Sequence, residues 1–194
     1  MHDENRMCIF MVIIYMRSIL IICLVAVITT QSYGQFTKAT LQATGLTCAM
    51  CSNAINKALK AKPFIQSVIS DIKNSSFDIV FKENVDVNID EIRKAVEDAG
   101  FSIGNLKLTG NFREVKVGDN EHVQIGNKNF HFIKVSSQVL NGEQTITMIE
   151  KDFLTAKQFK KFSGSAKIKG LETGKAESCC PGLAPGSRVY HVTI

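Results

Sequence analysis

The side chains with the most distinctive chemistry are two cysteines, Cys48 and Cys51, in the stretch GLTCAMCSNAINKAL. They follow a glycine and precede a run of apolar residues at helical spacing. Two sulfurs three positions apart on a tight loop can point at a common centre, and the unpaired N–H groups at a helix start favour the thiolate form. Such a pair could hold a metal ion, cycle as a redox couple or form a structural disulfide.

Metal binding by this pair favours a soft ion. Paired thiolates suit monovalent copper, mercury or zinc, but a closed structural zinc site takes four protein ligands. Two thiolates match the low, linear coordination of a soft monovalent ion and leave room for a ligand from a partner. The spacing therefore indicates a transfer site, in which Met50 is an exposed spacer rather than a third ligand.

The elements that would position the pair follow from periodicity between residues 37 and 108. KATLQAT alternates as a strand, the run after Cys51 is helical, and FIQSVISDIK and SFDIVFK predict two strands joined by a turn. Asn88 offers an N-cap with Glu91 three residues on, and Gly100 stands where a left-handed cap ends a second helix. FSIGNLKL predicts a closing strand whose alternation shifts at Gly104 and Asn105 through a bulge.

This order of strand, helix, strand, strand, helix, strand predicts an α+β protein whose first domain has a ferredoxin-like βαββαβ fold over residues 35–109. Residues 110–194 contain short alternating segments separated by Gly and Asn, with one helix near Thr155–Phe162. They predict a small β-rich domain, for which a barrel of the oligonucleotide/oligosaccharide-binding (OB) type is one candidate.

The C-terminal half holds further side chains that can ligate metals. In ESCCPG, Cys179 and Cys180 are adjacent, so the simplest interpretation is structural pairing or a place in a Pro/Gly-rich loop. A further thiolate site that cooperates with the CxxC pair is the alternative hypothesis. His122, His131 and His191 are interpreted as ordinary strand residues.

The N-terminal segment, residues 1–34, is nearly all apolar from Cys8 to Thr30. Read from Met1, it is long enough for a membrane-spanning helix. Read from an internal start at Met16, it is a signal peptide cleaved before Gln35, which is the favoured interpretation. We therefore expect a periplasmic or secreted protein, with a membrane-anchored protein facing the periplasm as the alternative.

Composition excludes some functions. The net charge of +5 is spread along the chain, and no Lys/Arg block with interleaved aromatics indicates nucleic-acid binding. Cleavage before Gln35 would leave four of the six cysteines, an even number in an oxidising compartment. Because no known catalytic motif is visible, the sequence predicts a binding module and not an enzyme.

The CxxC stretch resembles the signature of the heavy-metal-associated domain family, whose usual form is G-M-T-C-x-x-C before the first helix. Element order, domain length and the DAGF that closes the second helix also match, over residues 37–108. Leu46 replaces the family's buried Met, and Phe101 replaces the Lys of eukaryotic copper chaperones, as in bacterial and pump-domain members. The resemblance implies that Cys48 and Cys51 are the metal ligands.

The resemblance also implies a function. The family includes copper chaperones, copper-pumping ATPases and a periplasmic mercury scavenger, so we expect Cu(I) binding for buffering, transfer or resistance. A metal-transporting ATPase or an efflux component is the expected partner. Scavenging of Hg(II) or Zn(II) by the same site, and thiol-disulfide oxidoreductase activity, are the alternatives. No Trp precedes the pair and no thioredoxin-like second half follows it, which weighs against the redox role.

Overall fold

A computed structural model describes residues 35–46, 48–164, 168–177, 180 and 182–194. The predicted signal peptide over residues 1–34 lies outside these ranges and stays a prediction. Within them, no helix combines the length and the apolarity needed to cross a bilayer.

The described chain contains eight strands and four α-helices. The strands are β1 (Gln35–Thr44), β2 (Ile65–Asp71), β3 (Ser76–Phe81), β4 (Ser102–Val117), β5 (Glu121–Ile125), β6 (Lys128–Phe132), β7 (Gln138–Met148) and β8 (Val189–Thr193). The helices are α1 (Ala49–Lys60), α2 (Ile89–Asp98), α3 (Ala156–Ser163) and α4 (Gly170–Thr173), with a 3-10 turn at Lys151–Phe153.

The first six elements confirm the ferredoxin-like prediction. They run β1, α1, β2, β3, α2, β4, and the four strands pair antiparallel in the order β2-β3-β1-β4. The alternation predicted for β1 places Ala39 and Leu41 in the core. In α1 the buried residues are Ser52, Ile55 and Leu59, and Ala58 packs partly buried against the same core.

Local signals in the sequence explain how this half begins and ends its elements. The Asn88 side chain caps α2 by accepting a hydrogen bond from the Glu91 N–H at 3.2 Å. Gly100 has φ +89°, the left-handed conformation predicted for the cap after α2.

The predicted bulge is also present. The register of β1 against β4 shifts between Gln42 and Ala43, which skips Gly104. A Cβ at Gly104 would lie 2.7 Å from Cγ2 of Thr44, so glycine allows the two strands to approach closely there.

Strand β4 joins the two halves of the chain. Along residues 102–111 it pairs with β1, and along residues 107–117 its other edge pairs with β7. REVKVG, which reads as the start of a new strand, instead continues β4 through an irregularity at Glu114, whose φ is +52°. The predicted domain boundary between residues 109 and 110 therefore falls inside a strand and not at a linker.

The C-terminal strands extend the same sheet in the order β4-β7-β8-β6-β5. All these pairs are antiparallel except β6 with β8, which is parallel. Among the described strands β4 and β5 are not paired, so the sheet is open where a closed barrel would join them. The OB-type barrel stays a prediction, whereas a β-rich second half with the predicted helix α3 is present.

One hydrophobic core serves both halves. Phe36 of β1 packs against Phe112 of β4 and Phe130 of β6, with ring centroids 6.3 and 5.6 Å apart. Phe130 in turn lies 5.4 Å from the ring of Tyr190 in β8. These contacts continue from the ferredoxin-like half into the C-terminal half without a break.

An ion-pair network, centred on Arg188, connects helix α2 to the C-terminal strands. The Arg188 guanidinium donates to both carboxylate oxygens of Asp90, at 2.9 and 3.0 Å, and to both of Glu150, at 2.9 and 2.7 Å. Tyr190 also donates to Asp90, at 3.0 Å. Burial alone would raise the pKa of Asp90, but hydrogen bonds from Arg188 and Tyr190 outweigh it and keep this pKa below its ordinary value.

Removal of the central cation should destabilise the protein. Arg188→Ala leaves Glu150, whose side chain is 5% exposed, as an uncompensated buried charge. We expect the free energy of unfolding to fall by about 3 kcal/mol, as measured by urea denaturation. Arg93→Ala is the matched control, because it breaks the more exposed ion pairs of Arg93 with Glu97 and Asp152 and should cost less than about 1 kcal/mol. Equal losses in the two variants would contradict a structural role for this network.

Candidate metal centre

The CxxC loop lies between the end of β1 and the start of α1. Cys48 is the N-cap of α1, with an extended backbone (φ −153°, ψ 161°), and its sulfur accepts a hydrogen bond from the Cys51 N–H at 3.4 Å. The Sγ atoms of Cys48 and Cys51 are 2.7 Å apart. The structure therefore brings the two predicted ligands together at a helix N-terminus.

Flanking residues fix the loop on the core. Gly45 has φ +83°, which lets the chain turn out of β1 at little cost. Leu46 is partly buried and packs against the core beneath the loop, as does Phe101 after α2. A Cβ at Gly45 would lie 3.9 Å from Cδ1 of Phe101, so this ring adjoins the loop. Thr47 lies outside the described residues.

Exposure and charge suit exchange of a ligand with a partner. Cys48 is exposed and Cys51 is half-buried. Met50 is 83% exposed, as expected for a spacer. The first turn of α1 carries no acidic residue, so the positive end of the helix dipole acts on the two sulfurs without a competing carboxylate.

A second group of ligating side chains lies in the C-terminal half. His122 of β5 is the register partner of His131 in β6, which is the parallel-register partner of His191 in β8. The rings of His122 and His131 stack with centroids 4.0 Å apart, and those of His131 and His191 are 5.2 Å apart. Three histidines thus form one row across three neighbouring strands.

Cys180 completes this group. Its sulfur and one ring nitrogen from each of His122 and His131 all lie within 4.8 Å of one another. From the sequence alone the histidines are interpreted as ordinary strand residues, which does not predict that His122 and His131 lie beside Cys180. A signal exists in EHVQI and NFHFI, since each carries one His within an alternating segment, but it does not show which segments pair. Cys179 lies outside the described residues, and cooperation of ESCCPG with the CxxC loop stays a hypothesis.

Curated relatives are similar to part of the chain. A probable copper-transporting ATPase, HMA5, from Arabidopsis thaliana is 34% identical over 80 residues, which is 41% of this chain and 8% of the relative. A copper-transporting ATPase from Helicobacter pylori is 40% identical over 58 residues, which is 30% of this chain and 8% of the relative. The chain therefore spans less than a tenth of the length of these two ATPases.

A solved structure and a family model also match part of the chain. The crystal structure of a copper-binding domain from HMA7, a P-type ATPase, is 33% identical and covers 34% of this chain and 92% of its own, with a TM-score of 0.32. Because this TM-score is too low to support a family, the family assignment depends on the sequence matches. The model of the heavy-metal-associated domain family matches residues 40–102, which include Cys48, Cys51 and Phe101. Residues 40–102 of this chain are therefore a heavy-metal-associated domain.

Proposed function

We propose that the chain binds Cu(I) through Cys48 and Cys51 and holds it for buffering, transfer or resistance. The observation that carries the proposal is the placement of two cysteine sulfurs, 2.7 Å apart, at the N-terminus of α1 within the heavy-metal-associated domain. Thiolates are soft ligands, which bind monovalent copper in preference to harder ions. The copper-transporting ATPases with similar domains support this choice of metal.

Transfer follows from the small number of ligands and their exposure. Two cysteines leave Cu(I) able to accept a third ligand, so an incoming thiolate can bind before a resident thiolate leaves. Cys48 is exposed, which allows a partner to reach the metal from solvent. A metal-transporting ATPase or an efflux component is the proposed partner, and the protein acts as a binding module and not as an enzyme.

Other ions compete for the same sulfurs. Hg(II) is soft and suits two thiolates as well as Cu(I) does, so a mercury scavenger is the nearest alternative. Zn(II) prefers four protein ligands and would have to recruit further donors. Copper is favoured over both because the relatives that align with this domain are named as copper transporters.

A redox role is a second candidate, and the closeness of the sulfurs favours it. Cys48 and Cys51 are near enough to oxidise to a disulfide with a small movement.

We also propose that the protein works outside the cytoplasm, because residues 1–34 read as a signal peptide. In an oxidising compartment the pair has to stay reduced to bind metal.

Copper affinity tests the proposal. The reduced chain should withdraw one equivalent of Cu(I) from a competing chromophoric chelator, and Cys48→Ser or Cys51→Ser should weaken this binding at least about a hundredfold, since one thiolate remains. Met50→Leu is the matched control inside the loop and should leave the affinity unchanged, because Met50 is 83% exposed. Equal affinity in the cysteine variants would contradict the proposal. Preference for Hg(II) over Cu(I) under the same competition would favour the scavenger.

The capping role of Cys48 predicts how its variants fold. In the reduced, metal-free protein Cys48→Ser should keep the free energy of unfolding, because a serine hydroxyl also accepts from the N–H of Cys51. Cys48→Ala removes the acceptor and should cost about 1 kcal/mol in urea denaturation. Loss of copper in the serine variant would then reflect the lost thiolate and not a lost fold. A serine variant as unstable as the alanine variant would show that the sulfur does not act as the cap.

The redox candidate is tested by reduction of insulin disulfides with dithiothreitol as the electron source. The proposal expects no rate above that of dithiothreitol alone. A rate that depends on Cys48 and disappears in Cys48→Ser would replace the binding function with an oxidoreductase.

A further inference from the structure

We propose that His122, His131 and Cys180 form a second metal site, which binds a borderline divalent ion such as Zn(II). Two imidazole nitrogens and one thiolate sulfur are ligands typical of these ions. The site lies on β5, β6 and the segment before β8, outside the residues that match the heavy-metal-associated domain. It is therefore independent of the CxxC loop.

The three donor atoms are nearly at metal-binding distance from one another. In the structure they lie within 4.8 Å. Bond lengths of about 2.0 Å to nitrogen and 2.3 Å to sulfur would bring the donors of a tetrahedral or trigonal site to roughly 3.3–3.7 Å apart. The donors therefore have to approach one another by about 1 Å to bind one ion.

Hydrogen bonding leaves one nitrogen of His131 available for a metal. Its Nε2 lies 2.8 Å from Oδ1 of Asn120, so this nitrogen carries the proton and donates it. Asn120 is itself fixed in the turn before β5 by a hydrogen bond from its N–H to the Phe132 carbonyl at 2.8 Å. An outer hydrogen bond of this kind orients the ring and fixes the tautomer in most histidine metal sites.

Two ring nitrogens of the proposed site, Nδ1 of His131 and Nε2 of His122, are buried and have no hydrogen bond within the described residues. His131 is 0% exposed, and within the described part of the chain no partner is found for its Nδ1 or for Nε2 of His122. An unsatisfied buried polar atom costs about 1–3 kcal/mol, so such atoms are rare unless they have a function. A metal ion held between them would use both lone pairs.

The protonation states also suit a metal. Burial, with the neighbouring imidazoles, lowers the pKa of His131 to about 3, and burial likewise lowers the pKa of His122. Both rings are therefore neutral near pH 7, the form that ligates metals. Deprotonation of Cys180 on binding would supply the negative charge, and its proton would pass to solvent.

His191 stands beside the site and not in it. Its Nδ1 lies 3.2 Å from Oε1 of Glu150, which belongs to the Arg188 network. Its Nε2 faces Gly170, where a Cβ would lie 2.7 Å away, so glycine makes the space for this ring. His191 thus links the second site to the network that joins the two halves of the chain.

The experiment uses the full chain with Cys48→Ser and Cys51→Ser, so that the CxxC loop cannot contribute. Titration of this reduced variant with Co(II) should show one equivalent bound, with a thiolate-to-cobalt charge-transfer band, and one equivalent of Zn(II) should abolish that band. Added Cys180→Ser should remove the band, and added His122→Ala should lower the cobalt affinity at least about tenfold. Asn120→Ala, which frees the outer nitrogen of His131, should lower it by about 10–100-fold.

Cys179→Ser is the matched control and should leave the cobalt spectrum unchanged. Far-ultraviolet circular dichroism verifies that each variant is folded. Absence of the charge-transfer band in the folded starting variant would overturn the proposal. A band that survives Cys180→Ser, or one that Cys179→Ser alone removes, would overturn the assignment of Cys180.

Discussion

The structure depends on one strand that is paired along both edges. β4 closes the ferredoxin-like sheet through its pairing with β1, and its free edge would be exposed if the chain ended there. Pairing with β7 covers that edge and makes the C-terminal half an extension of the same sheet. Arg188 adds a polar connection, because its guanidinium binds Asp90 of α2 and Glu150 after β7 together. The metal-binding domain is therefore part of a larger folded unit.

Much of the first half is predictable because its signals are local. The helix cap at Asn88, the left-handed Gly100 and the bulge at Gly104 each act over a few residues, and the structure contains all three. The CxxC loop is equally local, since both ligands lie within one turn of α1. The second half is less predictable because its organisation comes from distant pairing. REVKVG continues β4, and the histidine row exists only because β6 pairs with β5 and, in parallel, with β8.

The two groups of candidate ligands differ in their exposure to solvent, and exposure decides whether a partner can exchange ligands with a bound metal. Cys48 is exposed at a helix N-terminus, where a partner can reach the metal and exchange ligands. Cys180 is 3% exposed and His131 is 0% exposed, so an ion held there would be shielded from partners. A site of the first kind suits transfer, whereas a site of the second kind suits retention and coupling of metal to the stability of the fold. Under the two proposals, one chain would combine a mobile cargo with a resident ion.

X-ray absorption of the full chain loaded with one equivalent of Cu(I) shows whether Cys48 and Cys51 bind copper as a pair of thiolates. Binding by this pair should give a monovalent copper edge with two or three sulfur ligands, and Cys48→Ser should lower the number of sulfur ligands. A first shell dominated by nitrogen, or an unchanged spectrum in Cys48→Ser, would show that the copper is bound elsewhere.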